Sequence, residues 1–85
     1  MAIEMLYFAW VREAIGTGRE TIDPPPEIDR VGALIDWLAR RSDGHAQAFA
    51  DRGRLRAAID QRFVALDAAL GSAREVAIFP PVTGG

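Results

Sequence analysis

Between Met1 and Val11 the chain is apolar and rich in strand-forming residues. Alternation sets Ile3, Met5 and Tyr7 on one face and Glu4, Leu6 and Phe8 on the other, and the charge at Glu4 marks the second face as the outer one. Gly16-Thr17-Gly18 supplies a turn into a second strand, Arg19 to Ile22, paired as a hairpin with the first. Asp23-Pro24-Pro25-Pro26 stops it, because proline has no N–H to give to a ladder. Asp29 then reads as the N-cap of a helix from about Arg30 to Arg41, with Val31, Leu34, Ile35 and Leu38 forming one apolar stripe. Trp37 flanks the stripe, and Arg40 and Arg41 suit the negative end of the helix dipole.

Ser42-Asp43-Gly44 ends this helix, and His45 to Asp51 is a candidate short second one. Leu55, Ala57 and Ile59 alternate with Arg54, Arg56 and Ala58, the pattern of a third strand, with Arg52 extending its basic edge. A turn at Asp60-Gln61-Arg62 leads into Phe63-Val64-Ala65, and Leu66 to Leu70 is an irregular link. Arg74 to Phe79 is the last strand, with Val76 and Ile78 on one face and Ala77 and Phe79 on the other, stopped by Pro80-Pro81. A hairpin, a crossover helix and further strands make an α+β domain: a mixed sheet of about five strands wrapped over one main helix, the β-grasp arrangement. By fold analogy the first and last strands are expected to pair in parallel at its centre. With no repeat and no linker, residues 1–85 read as one domain and 80–85 as its extended tail.

Composition narrows the chemistry. A formal net charge of −2 argues against general nucleic-acid binding, which depends on a strong positive field. There is no cysteine, so disulfides, thiolate metal sites and thiol nucleophiles are excluded. All ten basic residues are arginine, which excludes lysine Schiff-base chemistry. His45 is the only histidine and the carboxylates are scattered, so no metal site is expected. No apolar run approaches a membrane span, and Met1-Ala2-Ile3-Glu4 is no signal-peptide start, so the expected address is cytoplasmic, with no membrane partner.

The tail, Phe79-Pro80-Pro81-Val82-Thr83-Gly84-Gly85, draws the functional expectation. Pro80 and Pro81 favour an extended backbone, and Gly84 and Gly85 lack side chains and can thread a narrow channel. The residues beyond Phe79 reach roughly 20 Å at about 3.3 Å each. A carboxylate at Gly85 becomes an acyl donor once adenylated, and a sulfur nucleophile then converts the adenylate to a thiocarboxylate. The chain has no phosphate-binding GxxxxGK[ST] loop and binds no cofactor of its own on this reading. The tail must be presented to an enzyme that uses ATP.

These residues resemble the small-subunit family of molybdopterin synthase, the MoaD family, over essentially the whole chain. Leu6-Tyr7-Phe8-Ala9-Trp10-Val11-Arg12-Glu13 resembles the family's first strand and following segment. Ala57-Ala58-Ile59-Asp60-Gln61 resembles its third strand and turn, although Asp60 stands where asparagine is common. Glu75 to Gly85 is similar to its signature ending, and that ending is the specific part. The resemblance implies two partners. A ubiquitin-activating-like adenylyltransferase (MoeB-like) adenylates Gly85 and sulfur is installed there. The synthase large subunit (MoaE-like) then takes the tail and makes the molybdopterin dithiolene from cyclic pyranopterin monophosphate, within a heterotetramer. Catalytic side chains are expected on that large subunit.

Alternation also puts Phe8, Phe63 and Phe79 on the outer face, where three phenylalanines would make an exposed apolar patch. In the family, hydrophobic residues at matching positions contact the large subunit. Arg12 is a candidate for docking the activating enzyme, with an ordinary solvated arginine as the alternative. Two other functions stay open: a sulfur carrier for another pathway, of the thiamine-thiazole type, and a ubiquitin-like modifier joined to target lysines.

Overall fold

The computed structural model describes residues 2–81. The first strand, β1 (Ile3–Tyr7), keeps the expected alternation, with Ile3, Met5 and Tyr7 buried. It ends four residues earlier than the apolar run suggested. Phe8 is extended, Ala9 takes a left-handed φ of 51°, and the chain enters a helix, α1 (Ala9–Ile15), that the strand reading had missed. Val11, Ala14 and Ile15 face inward at helical spacing, and Gly16 closes the helix at φ 96°, its N–H donating to the Arg12 carbonyl. So the expected tight hairpin is a helical excursion. The pairing that it closes is still antiparallel, with β2 (Arg19–Ile22) running back along β1, Ile3 opposite Ile22 and Leu6 opposite Arg19.

The main helix, α2 (Val31–Ala39), buries Val31, Leu34, Ile35 and Leu38 as one stripe. Its cap differs from expectation: the N-cap position is Arg30, not Asp29, and no side chain caps it. The free N–H groups are satisfied by the link after the fourth strand, where Gly32 donates to the Leu66 carbonyl at 2.7 Å and Val31 to that of Ala68 at 3.1 Å. The link thereby covers the end of the helix. A short helix, α3 (Asp43–Ala48), follows, with Ser42 accepting from the His45 N–H as its cap. It lies so close to α1 that a Cβ at Gly44 would sit 2.4 Å from the Ala14 carbonyl oxygen.

Arg52–Arg54 form a single 3-10 turn rather than a strand edge, because Asp51 caps it through Gly53 N–H and Arg52 is drawn into an ion pair with Asp36. The sheet resumes with β3 (Arg56–Ile59), β4 (Arg62–Val64) and β5 (Glu75–Phe79). Asp60 and Gln61 both have positive φ and make the two-residue β3–β4 turn. Asp60 Oδ1 also accepts from the N–H groups of Arg74 and Glu75, at 3.1 and 3.0 Å. These contacts need an acceptor, so aspartate serves at this position as an asparagine oxygen would.

Strand order is β2-β1-β5-β3-β4, with β1 and β5 parallel at the centre and the other pairs antiparallel. The inner face (Met5, Tyr7, Ala57, Val76, Ile78) packs on α2 and is closed by Leu55, Leu70 and Phe49. Among the described residues no helix is long and apolar enough to cross a membrane.

Candidate functional site

The register fixes what stands on the other face. Leu6 lies opposite Ala77, Ala77 opposite Ala58, and Ala58 opposite Phe63. The next row toward the end of β5 puts Phe79 opposite Arg56. The two alanines are small, so they floor a groove of about 650 Å³ whose walls are Leu6 and Phe8 on one side and Phe63 and Phe79 on the other. Phe63 is 82% exposed and Phe8 49%, which for large apolar side chains is the mark of an unfilled contact surface. The Phe63 and Phe79 rings meet at 5.7 Å between centroids.

Pro80 and Pro81 continue from β5 along the same groove. The chain thus leaves the domain through the apolar surface itself. Phe8, Phe63, Phe79, Pro80 and Pro81 are therefore brought together, and Arg12 stands beside them across Leu6, Tyr7 and Phe8. The expected site residues Val82, Thr83, Gly84 and Gly85 lie outside the described residues. Sequence reasoning missed the floor, Ala58 and Ala77, and the wall residue Leu6. The signal was present in the outward alternation of each strand, but only the pairing register shows that these positions adjoin.

Behind the groove, the inner face carries a compact polar network. The Tyr7 hydroxyl donates to Glu20 Oε2 at 2.6 Å, and His45 Nε2 reaches the same oxygen at 2.6 Å. His45 Nδ1 lies 2.7 Å from Ser42 Oγ, and the Arg41 guanidinium stands 3.7 Å from Glu20. Burial alone would raise the Glu20 carboxyl. The hydrogen bonds from His45 and Tyr7, with the charges of His45 and Arg41, outweigh it and hold the group below its usual range. Burial, then the hydrogen bond and charge of Glu20, push the Tyr7 phenol well up. His45 is buried against the Tyr7 and Phe49 rings and every one of its polar atoms is engaged, so it ties α3 to β1 and β2. Among the described residues no group of three or more His, Cys, Asp or Glu side chains could hold a metal ion.

The strand order, the single crossover helix and the apolar outer face define a ubiquitin-like β-grasp protein. In agreement, the structure superposes on small archaeal modifier protein 1 of H. volcanii with a TM-score of 0.70 at 25% identity, covering 95% of this chain and 98% of that one. The ThiS family pattern matches residues 5–85, and the chain belongs to the ThiS family. It is 43% identical to the molybdopterin synthase sulfur carrier subunit of Escherichia coli, over 98% of this chain and 99% of that protein. It is 36% identical to the subunit of the same name in Haemophilus influenzae, over 98% of this chain and 99% of that protein.

Proposed function

We propose that this chain is the sulfur carrier subunit of molybdopterin synthase and that the carboxylate of Gly85 is its working group. One observation carries the reading: 43% identity to a sulfur carrier subunit of that enzyme across nearly the full length of both chains. The geometry supports it. An apolar groove at the root of the tail offers a partner a surface by which to grip the domain.

In the proposed cycle a ubiquitin-activating-like enzyme binds the carrier and ATP. A Gly85 carboxylate oxygen attacks the α-phosphorus, and pyrophosphate leaves. A sulfur nucleophile at the sulfide level attacks the acyl carbon of the adenylate, expels AMP and leaves a thiocarboxylate. The synthase large subunit then seats Phe8, Phe63 and Phe79 in an apolar contact and draws the tail toward the pterin precursor, where sulfur is given up and the carboxylate is restored by water. This chain contributes the acyl group, its reach and its docking surface; activation and transfer are carried out on its partners, in the cytoplasm.

Deleting Gly85 tests the reading. The truncated domain is expected to keep its fold, since the core among the described residues ends at Ile78, and to lose sulfur transfer in a reconstituted synthase assay. Retained transfer would overturn the mechanism. A second reading, a ubiquitin-like modifier, is favoured by the likeness to small archaeal modifier protein 1. It predicts adducts between Gly85 and lysines of other proteins, which the carrier reading does not.

A further inference from the structure

The arginines of this chain fall into two groups. Arg19, Arg30, Arg41 and Arg52 each have a carboxylate within ion-pairing distance: Glu4, Asp29, Glu20 and Asp36. Among the described residues the other six have none: Arg40 ends α2, Arg62 opens β4, Arg74 precedes β5, and Arg12, Arg54 and Arg56 surround the root of the tail. Arg56 lies opposite Phe79 on the groove face and lines a notch with Phe63 and Phe79. Arg54 stacks over Trp10, 4.9 Å from the ring centroid, and Trp10 directly follows Ala9 on the groove rim. Arg12 packs along Gly18 on the opposite flank.

None of the three floats free. Arg56 Nη1 donates to the carbonyls of Leu55 and Gly53, at 2.8 and 3.2 Å. Arg54, the last residue of the 3-10 turn, is held by the indole face of Trp10. A guanidinium fixed by carbonyls and an aromatic face keeps its charge uncompensated and pre-aimed, which reduces the entropy lost when a carboxylate binds. The far end of the groove is instead lined by Glu75. The docking face is therefore polarised along the tail direction, on a chain whose net charge is −2.

We infer that Arg54 and Arg56 are docking residues that meet carboxylates on the synthase large subunit, and that they set the speed and orientation of docking while the phenylalanines set its lifetime. The inference rests on the proposed function for the identity of that partner. Its physical basis is charge complementarity. Exposed charges around an apolar contact steer diffusional encounter and fix which way round two surfaces meet, and contribute less to the strength of the final complex. A carrier that visits two partners in turn benefits from fast, salt-sensitive association, because grip strong enough to replace it would slow release.

The experiment is stopped-flow association of the full-length carrier with the large subunit from the same organism, at several salt concentrations. Unmodified carrier is expected to associate more slowly as salt rises. The variant R54E/R56E is expected to associate at least about tenfold more slowly at low ionic strength, with the difference shrinking to about twofold or less near 1 M salt, where the Debye length is about 3 Å. R54Q/R56Q should fall between the two. R30E/R74E makes the same change in net charge at the end of the domain remote from the tail, and should associate nearly as fast as the unmodified carrier. Thermal unfolding of each variant checks that it is folded, and the neutral pair carries the test if the charge-reversed pair is not. Equal rates for R54Q/R56Q and unmodified carrier, an equal loss in R30E/R74E, or association that quickens with salt would each overturn the inference. Failure of the unmodified carrier to bind any large subunit would overturn the proposed function instead, and the inference with it.

Discussion

The two faces of the sheet are built by one alternation and put to opposite uses. On the inner face Met5, Tyr7, Val76 and Ile78 are sealed under α2, with relative exposures of 1% or less. On the outer face their strand neighbours Leu6, Phe8, Ala77 and Phe79 form an open groove that nothing among the described residues roofs. The inner face even absorbs polar groups by satisfying them completely, as the Tyr7–Glu20–His45–Ser42 network shows. The outer face leaves large apolar rings exposed and, among the described residues, guanidinium charges without a carboxylate partner. A domain of 85 residues, with limited core to spare, thus leaves some of its large apolar side chains outside it. The difference teaches where folding ends and recognition begins.

That division can be broken by substitution. The largest stability effect should come from the inner side: Leu34→Ala, at a fully buried position, is expected to cost about 2–5 kcal/mol in urea unfolding. Phe63→Ala, on a side chain 82% exposed, should stay within about 0.5 kcal/mol. Similar costs for the two would erase the distinction between the faces. Next in size, Phe79→Asp should weaken large-subunit binding by at least about 2 kcal/mol, roughly 30-fold, because it puts a charge into an apolar contact. Unchanged affinity by calorimetry would remove the groove from the docking surface.

The smallest effect concerns the polar network. The folded Glu20 carboxyl is held below its ordinary value of 4.5, so its contribution to stability is present above that value and lost as pH falls through the lower, folded one. Glu20→Gln should therefore lower the melting temperature at neutral pH and flatten its decline on acidification. A variant whose acid profile parallels that of the unmodified protein would show that the network gives no pH-dependent support.

Much of this was legible in the sequence. Alternation alone separated Tyr7 from Phe8 and Ile78 from Phe79, and the two proline runs marked strand ends. The central parallel pairing followed from fold analogy. The rest failed for local reasons. The strand reading ran through Ala9 because a left-handed alanine at a strand–helix junction leaves no sequence signal, unlike Gly16 at the other end of the same helix. Asp29 was expected as a cap because it precedes the apolar stripe, yet the cap comes from Leu66 and Ala68, carbonyls more than 30 residues away. Arg54 and Arg56 looked like an ordinary solvated edge, since neither the 3-10 turn nor the reach of Arg54 to Trp10 can be seen in spacing.

The central claim is that this domain exists to carry a chemical group at Gly85. Intact mass spectrometry tests it most directly, after incubation with the activating enzyme of the same organism, ATP and a sulfur donor. The account predicts a mass gain equal to one oxygen replaced by sulfur, localised by fragmentation to Gly85. An unchanged mass, with an activating enzyme shown to be active on another carrier, would contradict it.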